Sequence, residues 1–150
     1  MKLVVLINST EYDLKVYGLD FGYSQDPTAA VECIISGKNL YIKELVYETG
    51  LLNSDIAERL TDIDKDCYVI CDSAEPKSID ELRTNEHNPL NAVRAKKGRD
   101  SINWGINKIK SFKIHLLSDS KNLINEFETY KWAVDRQNNL KDLPEDKNNP

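Results

Sequence analysis

Hydrophobic residues in the first third of the chain alternate with polar ones at the two-residue period of half-buried β-strands. Three such runs follow one another, at Leu14–Asp20, Thr28–Ile35 and Asn39–Glu48. The last two are joined by the stretch SGKN, which is typical of a hairpin turn. The pattern therefore predicts three adjacent antiparallel strands.

The hydrophobic period then changes to that of helices. Ile56, Leu60 and Ile63 have helical spacing and predict a helix over 53–63, capped by Asn53 or Ser54. Short apolar runs and helical stripes alternate after it. They predict strands at 67–72, 89–95 and 113–117, helices at 76–83, 100–112 and 118–130, and a further strand after 130. This order indicates an α/β domain in which a mixed sheet is flanked by helices.

Two predicted strands end in an acid, Asp20 and Asp72. Sheets of this kind bind ligands at the carboxyl ends of their parallel strands. If these two strands are adjacent and parallel, the side chains meet although 72 − 20 = 52 positions separate them. Two converging carboxylates suit a divalent cation, and a pair of ions supports phosphodiester hydrolysis. The alternative is that each Asp only bonds turn amides. We expect Gly22 to keep the entrance to this site clear.

The composition is that of an ordinary globular domain, with 150 residues, 40% hydrophobic and 30% charged. No apolar run approaches the roughly 20 residues that span a bilayer, and no signal peptide is recognisable. Three cysteines, Cys33, Cys67 and Cys71, form no C-x-x-C pair and are expected to be free thiols. These features predict a cytoplasmic protein without a membrane partner.

The net charge of −5 argues against a generally basic nucleic-acid binder, although it permits one that works through metal ions. Local charge is uneven, because the stretch VRAKKGR (93–99) contains four cations and no acid. Composition alone favours a solvated loop there.

Two other chemistries share letters with this sequence. The stretch DFG that begins at Asp20 also occurs in protein kinases, but only 19 residues precede it, too few for the upstream kinase motifs. GLDFGYS also resembles the first phosphate loop of actin-like ATPases, yet CDSAEP lacks the glycines of a second one. A P-loop motif is absent from the sequence.

Several long blocks, taken in order, closely resemble the nuclease domain of phage terminase large subunits. They are YGLDFGYSQDPTAAV, LYIKELVYETGLLNSDIAERL, DSAEPKSIDELR, AKKGRDSINWGI and IKSFKIHLL. The resemblance covers about residues 17–149. It implies a ribonuclease H-like fold and a metal-dependent endonuclease that cuts concatemeric double-stranded DNA during genome packaging.

The resemblance also implies roles for individual residues. Asp20 and Asp72 match the family's metal-binding acids, which hold Mg²⁺ or Mn²⁺, as two ions. Lys96, Lys97 and Arg99 correspond to a block expected to contact DNA phosphates. The implied partners are double-stranded DNA, the terminase small subunit and the portal protein, in the cytoplasm of a bacterial host.

The sequence departs from the family pattern at both ends. The family's third metal ligand belongs to a C-terminal block that the stretch PEDKNNP does not reach, and Glu145 and Asp146 are the acids nearest to it. The family's ATPase motor is also missing. We therefore expect residues 1–150 to form a single nuclease domain that lacks its C-terminal end and has no motor, with weak or absent cleavage. The alternatives are a catalytically inactive prophage remnant that only binds DNA or portal, and an actin-like ATPase fragment.

Overall fold

The computed structural model describes residues 2–4, 12–22, 24–72, 75–96, 108 and 110–136, of which 2–4 and 130–136 are described as backbone only. Within these residues the chain forms a mixed sheet with helices on both faces. The strands are β1 Lys2–Val4, β2 Leu14–Asp20, β3 Thr28–Ser36, β4 Asn39–Glu48, β5 Val69–Asp72, β6 Ala92–Arg94 and β7 Lys113–Leu117. The helices are α1 Asn53–Arg59, α2 Pro76–Arg83 and α3 Lys121–Arg136.

The strands lie in the order β1-β7-β4-β3-β2-β5-β6. At the centre, β2, β3 and β4 are antiparallel, as the alternating pattern predicts. The strands on either side pair in parallel: β5 with β2, β6 with β5, β7 with β4, and β1 with β7. Because β3 is antiparallel to both of its neighbours, β2 and β4 run in the same direction. The carboxyl ends of β2, β4 and β5 therefore lie at one edge of the sheet.

One face of the sheet packs against α1 and α2 and is called the α1–α2 face. Alternate residues of β2 and β5 enter this core because side chains two apart in a strand share a face. Leu82 of α2 and Val69 of β5 are fully buried there. The other buried members of this core are Tyr17, Leu19, Phe21, Ala30, Val46, Ile56, Ala57, Leu60, Cys71, Ile79, Leu90 and Ala92.

The opposite face, called the α3 face, is covered over β4 and β7 by α3. Leu40, Ile42 and Leu116 form its buried centre, and Leu123, Ile124 and Phe127 of α3 pack against it. Glu44 fixes the start of α3, because its Oε1 accepts a hydrogen bond from the N–H of Leu123 at 2.7 Å. The residue before the helix, Ser120, accepts a hydrogen bond from the N–H of Glu44 at 2.9 Å.

The structure corrects several predictions from the sequence. Helix α1 ends at Arg59 rather than at Ile63, and Leu52 rather than Asn53 or Ser54 occupies its N-terminal cap position. Residues 131–136, predicted as a strand, continue α3 as helix. Strand β1 is not predicted by the sequence pattern. Most of the helix predicted at 100–112 lies outside the described residues.

No helix in the described ranges is long and apolar enough to cross a membrane. The three cysteines are free thiols; Cys71 is buried, while Cys33 and Cys67 are partly exposed. Burial raises the pKa of Cys33 and of Cys71 to about 11, which leaves both thiols protonated at neutral pH.

Candidate metal centre

Asp20 lies at the carboxyl end of β2, on the α3 face of the sheet. Tyr17 and Leu19 point into the opposite core, where they are 1% and 2% exposed. Gly18 and Asp20 alternate with them and therefore lie on the α3 face. The carboxylate of Asp20 is exposed, since β2 ends there and α3 packs over β4 and β7.

Asp72 occupies the equivalent position at the end of β5. Val69 and Cys71 are buried in the α1–α2 core, so Ile70 and Asp72 alternate onto the α3 face and are exposed. In the parallel pairing of β2 with β5, Asp20 and Asp72 are register partners. Adjacent strands lie about 4.8 Å apart, so the two carboxylates leave neighbouring backbone positions on the same side of the sheet. The two strands are thus adjacent and parallel, which is the condition under which the sequence predicts that Asp20 and Asp72 meet.

Gly22 allows the chain to turn back sharply behind Asp20. A Cβ at this position would collide with backbone atoms of Asp26, Pro27 and Thr28. The N–H of Gly22 also donates a hydrogen bond to Oγ1 of the buried Thr28 at 2.9 Å. The glycine is therefore needed for close backbone packing within the loop.

Tyr17 connects the strand of Asp20 to the loop that leads into β5. Its hydroxyl donates to Oε2 of Glu32 at 3.2 Å and accepts from the N–H of Asp64 at 3.0 Å. Its own N–H donates to the carbonyl oxygen of Tyr68 at 2.9 Å. Burial, with a contribution from the Glu32 carboxylate, raises the pKa of Tyr17 to about 12. Tyr17 thus holds β2 and the approach to β5 in their relative positions.

The row that contains the two acids continues across the sheet. Ala29 on β3 is the register partner of Asp20, and Tyr47 on β4 is the register partner of Ala29. Burial raises the pKa of Tyr47, and the carboxylates of Glu126 and Glu44 raise it further. No motif in the sequence marks Tyr47 as a candidate site residue. Tyr47 is the second-last residue of β4. A position so near the carboxyl end of a predicted strand is the signal in the sequence that could have identified it.

Only part of the predicted cationic block can be located. Lys96 is exposed, and Ala95 before it donates a hydrogen bond from its N–H to the carbonyl oxygen of Cys71 at 2.9 Å. Lys96 therefore lies at the same edge of the sheet as Asp72. Lys97 and Arg99 lie outside the described residues, as do Glu145 and Asp146.

The two histidines lie elsewhere. His87 is exposed in the loop after α2. His115 is buried in β7, where its ring stacks on Tyr41 with centroids 4.6 Å apart. Its Nε2 is 2.9 Å from Oδ1 of Asn39, so its role is in packing.

The donor set at the strand ends fits a hard divalent cation. Asp20 and Asp72 contribute only carboxylate oxygens, which Mg²⁺ and Mn²⁺ favour as ligands. In the part of the chain that the structure describes, no group of three or more His, Cys, Asp or Glu side chains could hold a metal ion. The pair therefore offers two ligand side chains at an exposed edge.

Comparisons with known proteins agree with this architecture. Residues 20–149 match the family described as Terminase RNAseH like domain. The terminase large subunit of Bacillus phage SPP1 is 33% identical over 139 residues, an alignment that covers 88% of this chain and 32% of that protein. The chain thus spans about a third of that relative.

Solved structures give the same result. The nuclease domain of the SPP1 large terminase, crystallised with bound Mn, superimposes with a TM-score of 0.77 at 28% identity, covering 97% of this chain and 87% of that one. The large terminase nuclease of thermophilic phage G20c, with bound magnesium, shares the fold, with a TM-score of 0.56 at 18% identity, covering 86% of this chain and 75% of that one. The chain therefore belongs to the family of terminase large-subunit nuclease domains and has their ribonuclease H-like fold.

Proposed function

We propose that this chain is the metal-dependent endonuclease domain of a phage or prophage terminase large subunit, which cuts concatemeric double-stranded DNA during genome packaging. The observation that carries the proposal is the register pairing of Asp20 with Asp72 on an exposed strand edge, in a member of this family. Residues 1–150 act as one nuclease domain. Its partners are double-stranded DNA, the terminase small subunit and the portal protein, in the host cytoplasm.

Asp20 and Asp72 are the residues that would hold Mg²⁺ or Mn²⁺, as two ions. Support comes from their carboxylate donors, and from the SPP1 and G20c nuclease structures, which contain Mn and magnesium respectively. When bound, such ions supply stabilisation of the attacking and leaving oxygens of an in-line phosphodiester displacement.

The chain's own residues position the reactants. Asp20 is fixed by the β2 pairing and by the turn at Gly22, while Asp72 is fixed by the burial of its neighbour Cys71. Both acids are exposed, so in the proposal their carboxylates face the DNA backbone. In the proposal, three cations attract the DNA phosphates without reading base sequence: Lys96, Lys97 and Arg99.

A plasmid-nicking assay with Mn²⁺ tests the proposal. We expect slow nicking by the native chain, because Asp20 and Asp72 supply only two ligand side chains. The variants Asp20→Asn and Asp72→Asn should abolish it, since each removes one of the two charges. The matched control is Asp66→Asn, which changes an exposed Asp in the loop before β5 and should nick like the native chain. Nicking that persists in Asp20→Asn would overturn the assignment.

Metal binding can be measured separately from cleavage. At a concentration 100-fold above its dissociation constant, a ligand of the folded state stabilises it by about 2.7 kcal/mol. Mn²⁺ should therefore raise the melting temperature of the native chain and of Asp66→Asn, but not of Asp20→Asn. Absence of this shift in the native chain would count against a metal site at these residues.

A second candidate function is binding of DNA or portal without cleavage. The observation that favours it is the lack of a third ligating side chain near the pair among the described residues. DNA retention in a mobility-shift assay, with no nicking in Mn²⁺ or Mg²⁺, would support this candidate. The family match favours either function over an actin-like ATPase, which would bind ATP and leave DNA intact.

A further inference from the structure

A groove of about 280 Å³ lies between α2 and β6. Four of its lining residues come from a single face of α2, because they follow the i, i+3, i+4, i+7 spacing of a helix. Two more come from the neighbouring strand β6. The lining residues are Pro76, Ile79, Asp80, Arg83, Val93 and Arg94.

The groove combines an apolar surface with two guanidinium groups. Arg83 and Arg94 are exposed, whereas Ile79 is buried. Asp80 is the single acid among the described lining residues, which therefore have a formal net charge of +1. Guanidinium groups bind phosphates through paired hydrogen bonds, and their stems cover apolar surface. A ligand with phosphates and an apolar sugar surface matches this lining.

Strand β6, which lines the groove, pairs with β5, the strand that carries Asp72. Arg94 on β6 is the register partner of Cys71, the residue before Asp72. Pro76, the first residue of α2, follows Asp72 by four positions. From there the eight residues of α2 extend for about 12 Å, the axial length of about three phosphates of one DNA strand.

We propose that this groove binds the sugar-phosphate backbone of the DNA next to the cleavage position, with Arg83 and Arg94 as phosphate contacts. The inference rests on the proposed function for the identity of the ligand. The groove itself lies on the far side of β5 and β6 from Asp20, since Arg94 alternates onto the α1–α2 face. Arg94 therefore lies on the opposite face of the sheet from the candidate metal ligands.

The test is the salt dependence of binding to a labelled duplex of about 30 base pairs in EDTA, where cleavage cannot occur. Each phosphate contact contributes about −0.9 to the slope of log affinity against log salt. Arg83→Gln/Arg94→Gln should flatten the slope by about 1.8 and weaken binding on the order of 10- to 100-fold at ~0.1 M salt. Arg83→Lys/Arg94→Lys, which keeps both charges, should retain most of the slope.

A matched control removes two charges at the opposite edge of the sheet. Lys38 and Lys113 are exposed and adjacent, because the Lys113 N–H donates to the Lys38 carbonyl oxygen at 2.7 Å. Lys38→Gln/Lys113→Gln should leave the slope unchanged. In addition, Asp80→Asn should tighten binding several-fold, whereas Asp66→Asn should not. Melting temperatures establish that each variant is folded.

The results separate this inference from the proposed function. Equal salt slopes for the Arg83→Gln/Arg94→Gln and Lys38→Gln/Lys113→Gln variants would overturn the assignment of the groove as a DNA-binding surface. This holds even if nicking depends on Asp20. A groove used by a protein partner would give that same result, and so would a native chain that does not bind the duplex. Binding that depends on Arg83 and Arg94 in a chain that never nicks DNA would support the groove and refute the endonuclease.

Discussion

Replacing Tyr17 by Phe tests how the strand of Asp20 is attached to the rest of the domain. Tyr17 is 1% exposed, and its hydroxyl bonds to Glu32 and to the N–H of Asp64, which lies in the loop before β5. Phe fills the same volume except for the hydroxyl oxygen. The substitution therefore removes two hydrogen bonds and leaves the hydrophobic packing almost unchanged.

The magnitude follows from these two bonds. A bond to a backbone N–H contributes about 1 kcal/mol, and a bond to a charged group about 1.5–3 kcal/mol. The bond to Glu32 is long, at 3.2 Å, and only partly buried, so it belongs at or below the low end of that range. We expect Tyr17→Phe to lower the free energy of unfolding by about 2 kcal/mol, or the melting temperature by about 4–8 °C.

The difference in the free energy of unfolding between the native chain and Tyr17→Phe should also depend on pH. Tyrosine in an unfolded chain has a pKa of about 10, whereas burial raises that of Tyr17 to about 12 in the fold. A raised pKa means that the folded state favours the neutral phenol, so this stabilisation is complete below about pH 10 and is lost as the pH rises towards about 12. Between about pH 8 and about pH 11 the native chain should lose about 1.4 kcal/mol that the Phe variant does not.

Urea unfolding at the two pH values, followed by circular dichroism, measures both effects. Tyr68→Phe is the matched control, because Tyr68 is 54% exposed and its substitution should change stability by less than about 0.5 kcal/mol. A Tyr17→Phe variant as stable as the control, or a gap to the native chain that does not narrow at high pH, would refute the reasoning.

Two further substitutions test the loop beside Asp20 and the docking of α3. Gly22→Ala should lower the free energy of unfolding by about 1–3 kcal/mol, because its Cβ meets backbone. Gly18→Ala, whose Cβ would lie 3.4 Å from a Val31 methyl, should change it by less than about 1 kcal/mol, and equal urea midpoints for the two would contradict this account. Glu44→Ala should cost about 0.5–2 kcal/mol, since it removes the carboxylate that caps α3. Glu128→Ala, on the exposed side of α3, should have little effect, and a loss as large as that of Glu44→Ala would argue against capping.

The sequence alone was sufficient to predict those strands and helices whose signal is local. β2, β4, α2 and β7 have the predicted bounds, since alternation and a first-turn proline are short-range features. The failures have non-local causes. Strand β1 has three residues and exists through pairing with β7, in which the register partner of Lys2 is His115, 115 − 2 = 113 positions away. Residues 131–136 join α3 because extending an existing helix is easier than starting a strand.

The candidate site shows how packing determines which residues can act together. A shift of β5 by one residue would exchange its two faces, and Asp72 would enter the core in place of Cys71. That arrangement would bury a carboxylate and expose Val69 and Cys71, which are 0% exposed in the fold. The apolar residues of β5 therefore fix its register, and through it the side of the sheet on which Asp72 meets Asp20. The sequence predicts this pairing because burial and site share one alternating pattern. The sequence does not predict the groove at Arg83 and Arg94. Neither the helical pattern of α2 nor the alternating pattern of β6 determines by itself how these two elements pack against each other.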